Sequence, residues 1–209
     1  MTRPTPSARR RGALREEQKR ATRSRLIEAA RIQFATRGYA AVTIDDIASD
    51  VGCSRATFYL HFPGKVDILR AVSENDVQSA VEFYATLDAV LATGSRDAFA
   101  RWLTDATAWF DTHKDMLAAW NQATALEPEF TATAREGLHA LPEAMPRYLA
   151  RWPEDQREEA RLRIELLVAQ LERFFARWAL YGTIEVPRET AVEVLTDIWF
   201  PALAAPDVS

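Results

Sequence analysis

Between Thr43 and Lys65 the chain gathers short hydroxyls, one arginine and several aromatics at spacings that have a definite chemical use. Thr43 can cap the exposed amides of a helix that follows it, and Asp46 stands in the capping-box position. Ile44, Ile47, Ala48 and Val51 form one apolar side over about two turns, and Gly52 ends the run. A glycine there permits a sharp reversal, because it takes positive φ without a Cβ clash. Ser54 can then cap a second short helix holding Arg55, Ala56, Thr57, Phe58, Tyr59 and Leu60. Two short helices about a glycine-containing turn make a helix-turn-helix. Arg55, Ala56 and Thr57 fall on the exposed N-terminal half of the second helix. They are small or polar enough to enter a major groove about 12 Å wide. Phe58 and Leu60 are expected to anchor that helix from behind.

The rest of the chain offers little competing chemistry. A single cysteine, Cys53, excludes an internal disulfide and reads as a turn filler. Glu136 and His139 have the Glu-x-x-His spacing of a carboxylate-bridged di-iron site. That site needs a second such motif and further glutamates, and only three histidines occur (His61, His113, His139). No glycine-rich phosphate loop or nucleophile elbow appears among seven glycines. No enzyme activity, cofactor or metal is therefore expected. No apolar run approaches the roughly 20 residues of a membrane span. The basic N-terminus lacks the apolar stretch of a secretory signal, so a soluble, cytoplasmic protein is expected.

The net charge of −4 conceals an asymmetry: residues 1–70 hold 14 Lys and Arg against 7 Asp and Glu, and the remainder 12 against 23. A basic N-terminal part suits a polyanion and an acidic C-terminal part does not, although a basic tail on an acidic protein would give the same totals.

The elements that must position these residues all read as helical. Residues 1–14 carry Pro, Ser, Gly and Arg with almost nothing to bury, and are expected to be a disordered basic arm. Arg9, Arg10 and Arg11 could reach a flanking minor groove or simply add nonspecific attraction. A helix is expected from near Arg15 to Gly38, where Leu26, Ile27, Ala30, Phe34 and Ala35 recur at helical steps. Pro63-Gly64 opens a long fourth helix to about Ala92, and Ser95 caps another reaching about His113. Shorter helices are expected at about 115–126 and 128–140, then two clear ones at about 154–181 and 188–203. No β-alternation appears. The expected fold is all-α, divided into the arm (1–14), a three-helix helix-turn-helix domain (15–70) and a helical ligand-sensing and dimerisation domain (71–209).

The stretch from Thr43 to Leu69 resembles the signature of TetR-family transcriptional regulators. The matching positions are Thr43, Ile47-Ala48, Gly52, Ser54, Tyr59, Phe62, Lys65 and Ile68-Leu69, with Phe34, Gly38 and Tyr39 before them. With chemistry, that resemblance assigns roles. Thr43 would bond a phosphate beside its neighbouring amides, with Ser54 and Ala56 at the same interface. Arg55 would bond a guanine edge bidentately or else a phosphate. Thr57 would touch a thymine methyl or a phosphate. Tyr59, His61 and Lys65 would contact backbone phosphates, which position without reading sequence.

The same resemblance implies a homodimer built on the last two helices, through Leu167, Leu171, Phe174, Phe175, Trp178, Val192, Leu195 and Trp199. Those residues could instead close the core of a single chain. Between reader and dimer, Trp102, Thr107, Trp109, Phe110, His113, Met116, Trp120, Asn121 and Tyr148 suit a mainly apolar ligand cavity with a few polar groups, or ordinary core. The function implied is a ligand-responsive regulator, by resemblance a repressor, that binds a pseudo-palindromic double-stranded DNA operator as a dimer. A largely apolar small molecule would release it. The alternative is a helical small-molecule or protein-binding module without specific DNA recognition.

Overall fold

A computed structural model of the chain describes residues 6–204, and for residues 6–9 and 11 the backbone alone. Among the described residues there is helix and no strand: α1 (Pro6–Arg37), α2 (Ile44–Val51), α3 (Arg55–Tyr59), α4 (Lys65–Ala92), α5 (Arg96–Leu126), α6 (Thr131–Glu143), α7 (Pro146–Ala150), α8 (Arg157–Phe175) and α9 (Arg188–Ala202). A π-helical turn at Ala176–Leu180 extends α8. The helices sort into two compact units, one holding residues up to Glu74 together with Ala119–Glu127, the other Asn75–Ala118 and the residues from Pro128 onward.

In the first unit Leu26, Ala30 and Phe34 of α1, Ile47 of α2, Phe58 of α3 and Ile68 and Leu69 of α4 are all essentially buried, with α1 packed on α2 and α2 on α3. Burying such side chains stabilises by about 1.5–3 kcal/mol each, which is how helices as short as α2 and α3 hold their places. The expected boundary at residue 70 thus lies four residues later, and a stretch of α5 joins this unit.

The second unit buries Tyr84 and Leu87 of α4, Phe99, Leu103 and Phe110 of α5, and Ile164, Leu167 and Leu171 of α8. Asp88, buried on α4, caps α7: its carboxylate accepts the Tyr148 amide at 2.6 Å and the Arg147 amide at 3.2 Å.

Several expectations are corrected. The arm expected over 1–14 lies outside the described residues at 1–5, while from Pro6 the backbone is already helical as the first turns of α1. No break occurs near His113. The segment 96–126 contains neither Gly nor Pro, so the hydrogen-bond ladder of α5 continues through its polar turn Thr112-His113-Lys114-Asp115.

The residues expected at a dimer interface lie in the unit's own core. Leu167, Leu171, Phe175, Val192, Leu195 and Trp199 are buried inside the unit, and Phe174 and Trp178 stack on each other at 5.9 Å against the same core. The large apolar residues that α8 and α9 leave exposed are Leu162, Leu166, Val194 and Ile198. Both helices are apolar around more than one face, and the unit's own core takes the wider one.

Candidate nucleic-acid interface

α2 starts with a complete capping box. Thr43 Oγ1 accepts the Asp46 amide at 3.2 Å, while the Asp46 carboxylate accepts the Thr43 amide at 2.8 Å and its hydroxyl at 2.7 Å. These bonds, with Arg37 3.3 Å away, hold the Asp46 carboxyl down at about 2. At the other end Gly52 takes φ 71°, ψ 33°, the left-handed conformation, and its amide and that of Cys53 return to Ser49 and Ala48. Arg25 on α1 donates to the Val51 carbonyl at 2.7 Å, satisfying an end group that local sequence leaves open.

Ser54 caps α3 by accepting the Thr57 amide at 3.1 Å, and the two hydroxyls lie 3.0 Å apart. Phe58 is fully buried and anchors α3 as expected. Leu60, expected beside it, is 75% exposed, because the helix has ended and turned away. Arg55 and Ala56 are exposed and Thr57 is half-buried. Arg55 donates to Asp45 at 2.8 Å and to the Tyr59 hydroxyl at 3.1 Å, with its guanidinium 5.6 Å from the centre of the Tyr59 ring. An exposed pair of this kind is weak and screened by salt. The guanidinium is therefore pre-extended along the outer face of α3 and readily exchanged to another acceptor.

Two residues expected to touch phosphate are placed differently. Lys65 donates to the carbonyls of Tyr39 at 3.0 Å and Val42 at 3.1 Å, and its ammonium stands 4.0 Å from the Tyr39 ring centre. Burial lowers its pKa, with Glu127 pulling the other way. Its charge ties the loop between α1 and α2 to the start of α4. His61 has a buried Nδ1 with no hydrogen-bond partner among the described residues, and burial lowers its pKa, helped by Lys19 and Arg23.

The loop that Lys65 ties is also held from α5. Gln122 accepts the Ala40 amide at 3.0 Å and packs against Gly38, where φ is 76°, and the Tyr39 hydroxyl donates to Glu127 at 3.0 Å. Gln122 and Glu127 lie 82 and 88 residues from their partners, so no local pattern reveals them.

The second unit contains a cavity of about 60 Å³ walled by side chains of α4, α5, α6 and α8. Of the nine expected ligand residues, Trp109 and Phe110 line it. Trp102 is core, its indole donating to Thr86 at 3.1 Å, and Met116 is buried. Thr107 is buried, donating to the Thr104 carbonyl and accepting from Arg188 at 2.8 Å. His113 stacks on Trp109 at 4.1 Å, with Nδ1 2.7 Å from the Trp109 carbonyl. Tyr148 donates its hydroxyl to the Ala160 carbonyl at 3.3 Å. Trp120 and Asn121 belong to the first unit. The wall also contains Glu172, which the sequence reading missed. The signal was present, since Ile164, Leu167, Val168, Leu171 and Phe175 define the buried stripe of α8 and Glu172 occupies one of its positions. Elsewhere, His139 pairs with Glu165 at 2.6 Å.

Residues 26–72 match the family described as bacterial regulatory proteins, tetR family. Among curated proteins, the chain is similar to the HTH-type transcriptional regulator SrpR of Pseudomonas putida, 43% identical over 51 residues, 24% of either chain. It is 29% identical to the HTH-type transcriptional regulator EthR of Mycolicibacterium smegmatis over 124 residues, 59% of this chain and 54% of that one. The chain thus spans about half the length of these relatives or less. In fold it resembles the crystal structure of a tetR-family transcriptional regulator from Streptomyces coelicolor with a TM-score of 0.60, over 88% of this chain and 80% of that one at 23% identity. A signature confined to the capped pair α2–α3 and its flanks is thus similar to the tetR family of bacterial regulatory proteins, on a helical fold that most of the chain shares with a solved structure of that description.

Proposed function

We propose that the protein is a ligand-responsive, DNA-binding transcriptional regulator acting as a repressor. The observation that carries this reading is the row of exposed Arg55 and Ala56 and half-buried Thr57 on a helix capped by Ser54 and anchored by buried Phe58. α3 enters the major groove with Arg55 reading a base edge. Thr43, Ser54 and Tyr59 approach phosphates through amides and hydroxyls. The excess of basic residues before residue 70 draws the same part of the chain toward DNA.

The protein acts as a homodimer, because two recognition helices about 34 Å apart read the half-sites of a pseudo-palindromic operator. Leu162, Leu166, Val194 and Ile198 are the large exposed apolar positions on α8 and α9 that a second copy covers. The cavity in the second unit admits a small-molecule effector, and release from DNA follows if the ligand prefers the arrangement that does not match successive grooves.

Selection of genomic fragments on the purified protein at about 150 mM salt, where nonspecific attraction is weakened, tests this reading. Enrichment of a pseudo-palindrome supports it. Recovery of unrelated fragments alone, with and without cell extract as a ligand source, refutes it.

A further inference from the structure

Glu172 has no role in the fold that its surroundings explain. It lines the cavity of the second unit, and among the described residues its carboxylate makes no hydrogen bond or ion pair. A carboxylate in an apolar wall with no donor is costly unless it is protonated or meets a cation. Burial accordingly raises its pKa to about 7. Tyr84 is the other titratable group of the wall, and its own pKa is raised by burial and by Glu172.

The remaining wall discriminates among ligands. Phe83, Tyr84, Trp109, Phe110 and Phe175 make it largely aromatic, with Phe83 and Trp109 near-parallel at 6.0 Å. The Trp109 indole N–H is turned to Ser79 at 3.0 Å, so it is not available to a ligand oxygen. A negative group would meet Glu172 without a compensating donor, and a neutral apolar one would leave the carboxylate unpaired. A cation satisfies the carboxylate, and the aromatic wall suits the apolar part of such a ligand.

We infer that the cavity is a site for small apolar cations, with Glu172 as the counter-ion and Phe83, Tyr84 and Trp109 as the aromatic wall. The inference rests on the reading of the second unit as a sensor and narrows its effector to amines or quaternary ammonium compounds. The resting volume of about 60 Å³ is below the roughly 150 Å³ of a benzene-binding cavity, so entry of an aromatic cation requires wall side chains to move apart.

Calorimetric titration of the full chain at pH 8 with benzylammonium, and with benzyl alcohol as its neutral counterpart, tests the inference. The cation should bind wild type at least about tenfold more tightly than the alcohol. Glu172→Gln should bring the two to near parity while raising the melting temperature. Equal binding of both probes to wild type, undiminished cation binding by Glu172→Gln, or no binding of either overturns the inference. Should the variant fail to fold, the ratio of the two probes on wild type decides alone. Operator binding measured with the cation present separates the two readings. Saturable binding with unchanged operator affinity refutes the sensor and leaves the site standing.

Discussion

Replacing Lys65 by Met separates a structural lysine from a phosphate-binding one. Methionine keeps most of the apolar stem but removes the ammonium that donates to the carbonyls of Tyr39 and Val42. Charged hydrogen bonds contribute about 1.5–3 kcal/mol each, and a half-buried cation over a ring about 1 kcal/mol. The ammonium's own desolvation, visible in its lowered pKa, offsets part of this. A net loss of about 2–4 kcal/mol follows, because the carbonyls of two buried residues lose their partners. Urea unfolding reads that loss as a lower midpoint at unchanged slope. The dependence of DNA affinity on salt supplies the second reading, since each phosphate contact contributes about −0.9 to the logarithmic slope. The structure requires the slope to stay the same under conditions where the variant remains folded. A stability loss under about 0.5 kcal/mol together with a slope shallower by about one would refute the argument and restore Lys65 to the phosphate contacts.

Gly52→Ala places a Cβ in open space but at φ 71°, so it should cost about 1–2 kcal/mol through backbone conformation alone, measured by thermal unfolding. Arg55→Ala should weaken operator binding about tenfold or more and relax preference at one base pair, read by binding to a set of single-substituted operators. Asp45→Asn, which frees that arginine from its ion pair, should strengthen nonspecific DNA binding at low salt. Leu166→Arg should yield folded monomers by analytical ultracentrifugation, whereas Leu171→Ala should lower stability by about 2–5 kcal/mol and leave association intact. Glu172, raised from 4.5 to about 7, binds a proton in the folded chain that the unfolded chain has already lost. Stability should therefore fall as pH rises from about 4.5 through 7, by at most about 3 kcal/mol, and Glu172→Gln should flatten that profile.

The reading head was legible because its chemistry is local. Thr43 with Asp46, Gly52, and Ser54 with Thr57 each do their work within a few residues, so their spacing carries the geometry. Lys65, Arg25, Gln122 and Glu127 were not legible in role, since each answers a backbone or side-chain group more than twenty residues away. Periodicity locates α8 and α9 but does not say which apolar face meets the chain's own core, where Leu167 and Leu171 lie while Leu162 and Leu166 are exposed. The polar turn around His113 looked like a boundary, yet exposed polar residues without Gly or Pro do not interrupt a helix. Most of the expected pocket aromatics are core, as Trp102 and Tyr148 illustrate, and the polar group lining the cavity is an acid inside an apolar stripe.

The α5 turns that join the first unit have a consequence for the order in which the chain matures. Residues as far as Glu74 are synthesised first, yet the amide of Ala40 and the hydroxyl of Tyr39 find their partners on Gln122 and Glu127. At about 5–20 residues per second, several seconds separate the emergence of the loop from that of the residues that complete it. A nascent reading head is therefore unfinished until α5 has left the ribosome. Transplanting residues 1–74 alone into another protein would carry over the recognition helix without two of the clasps that hold the loop before it.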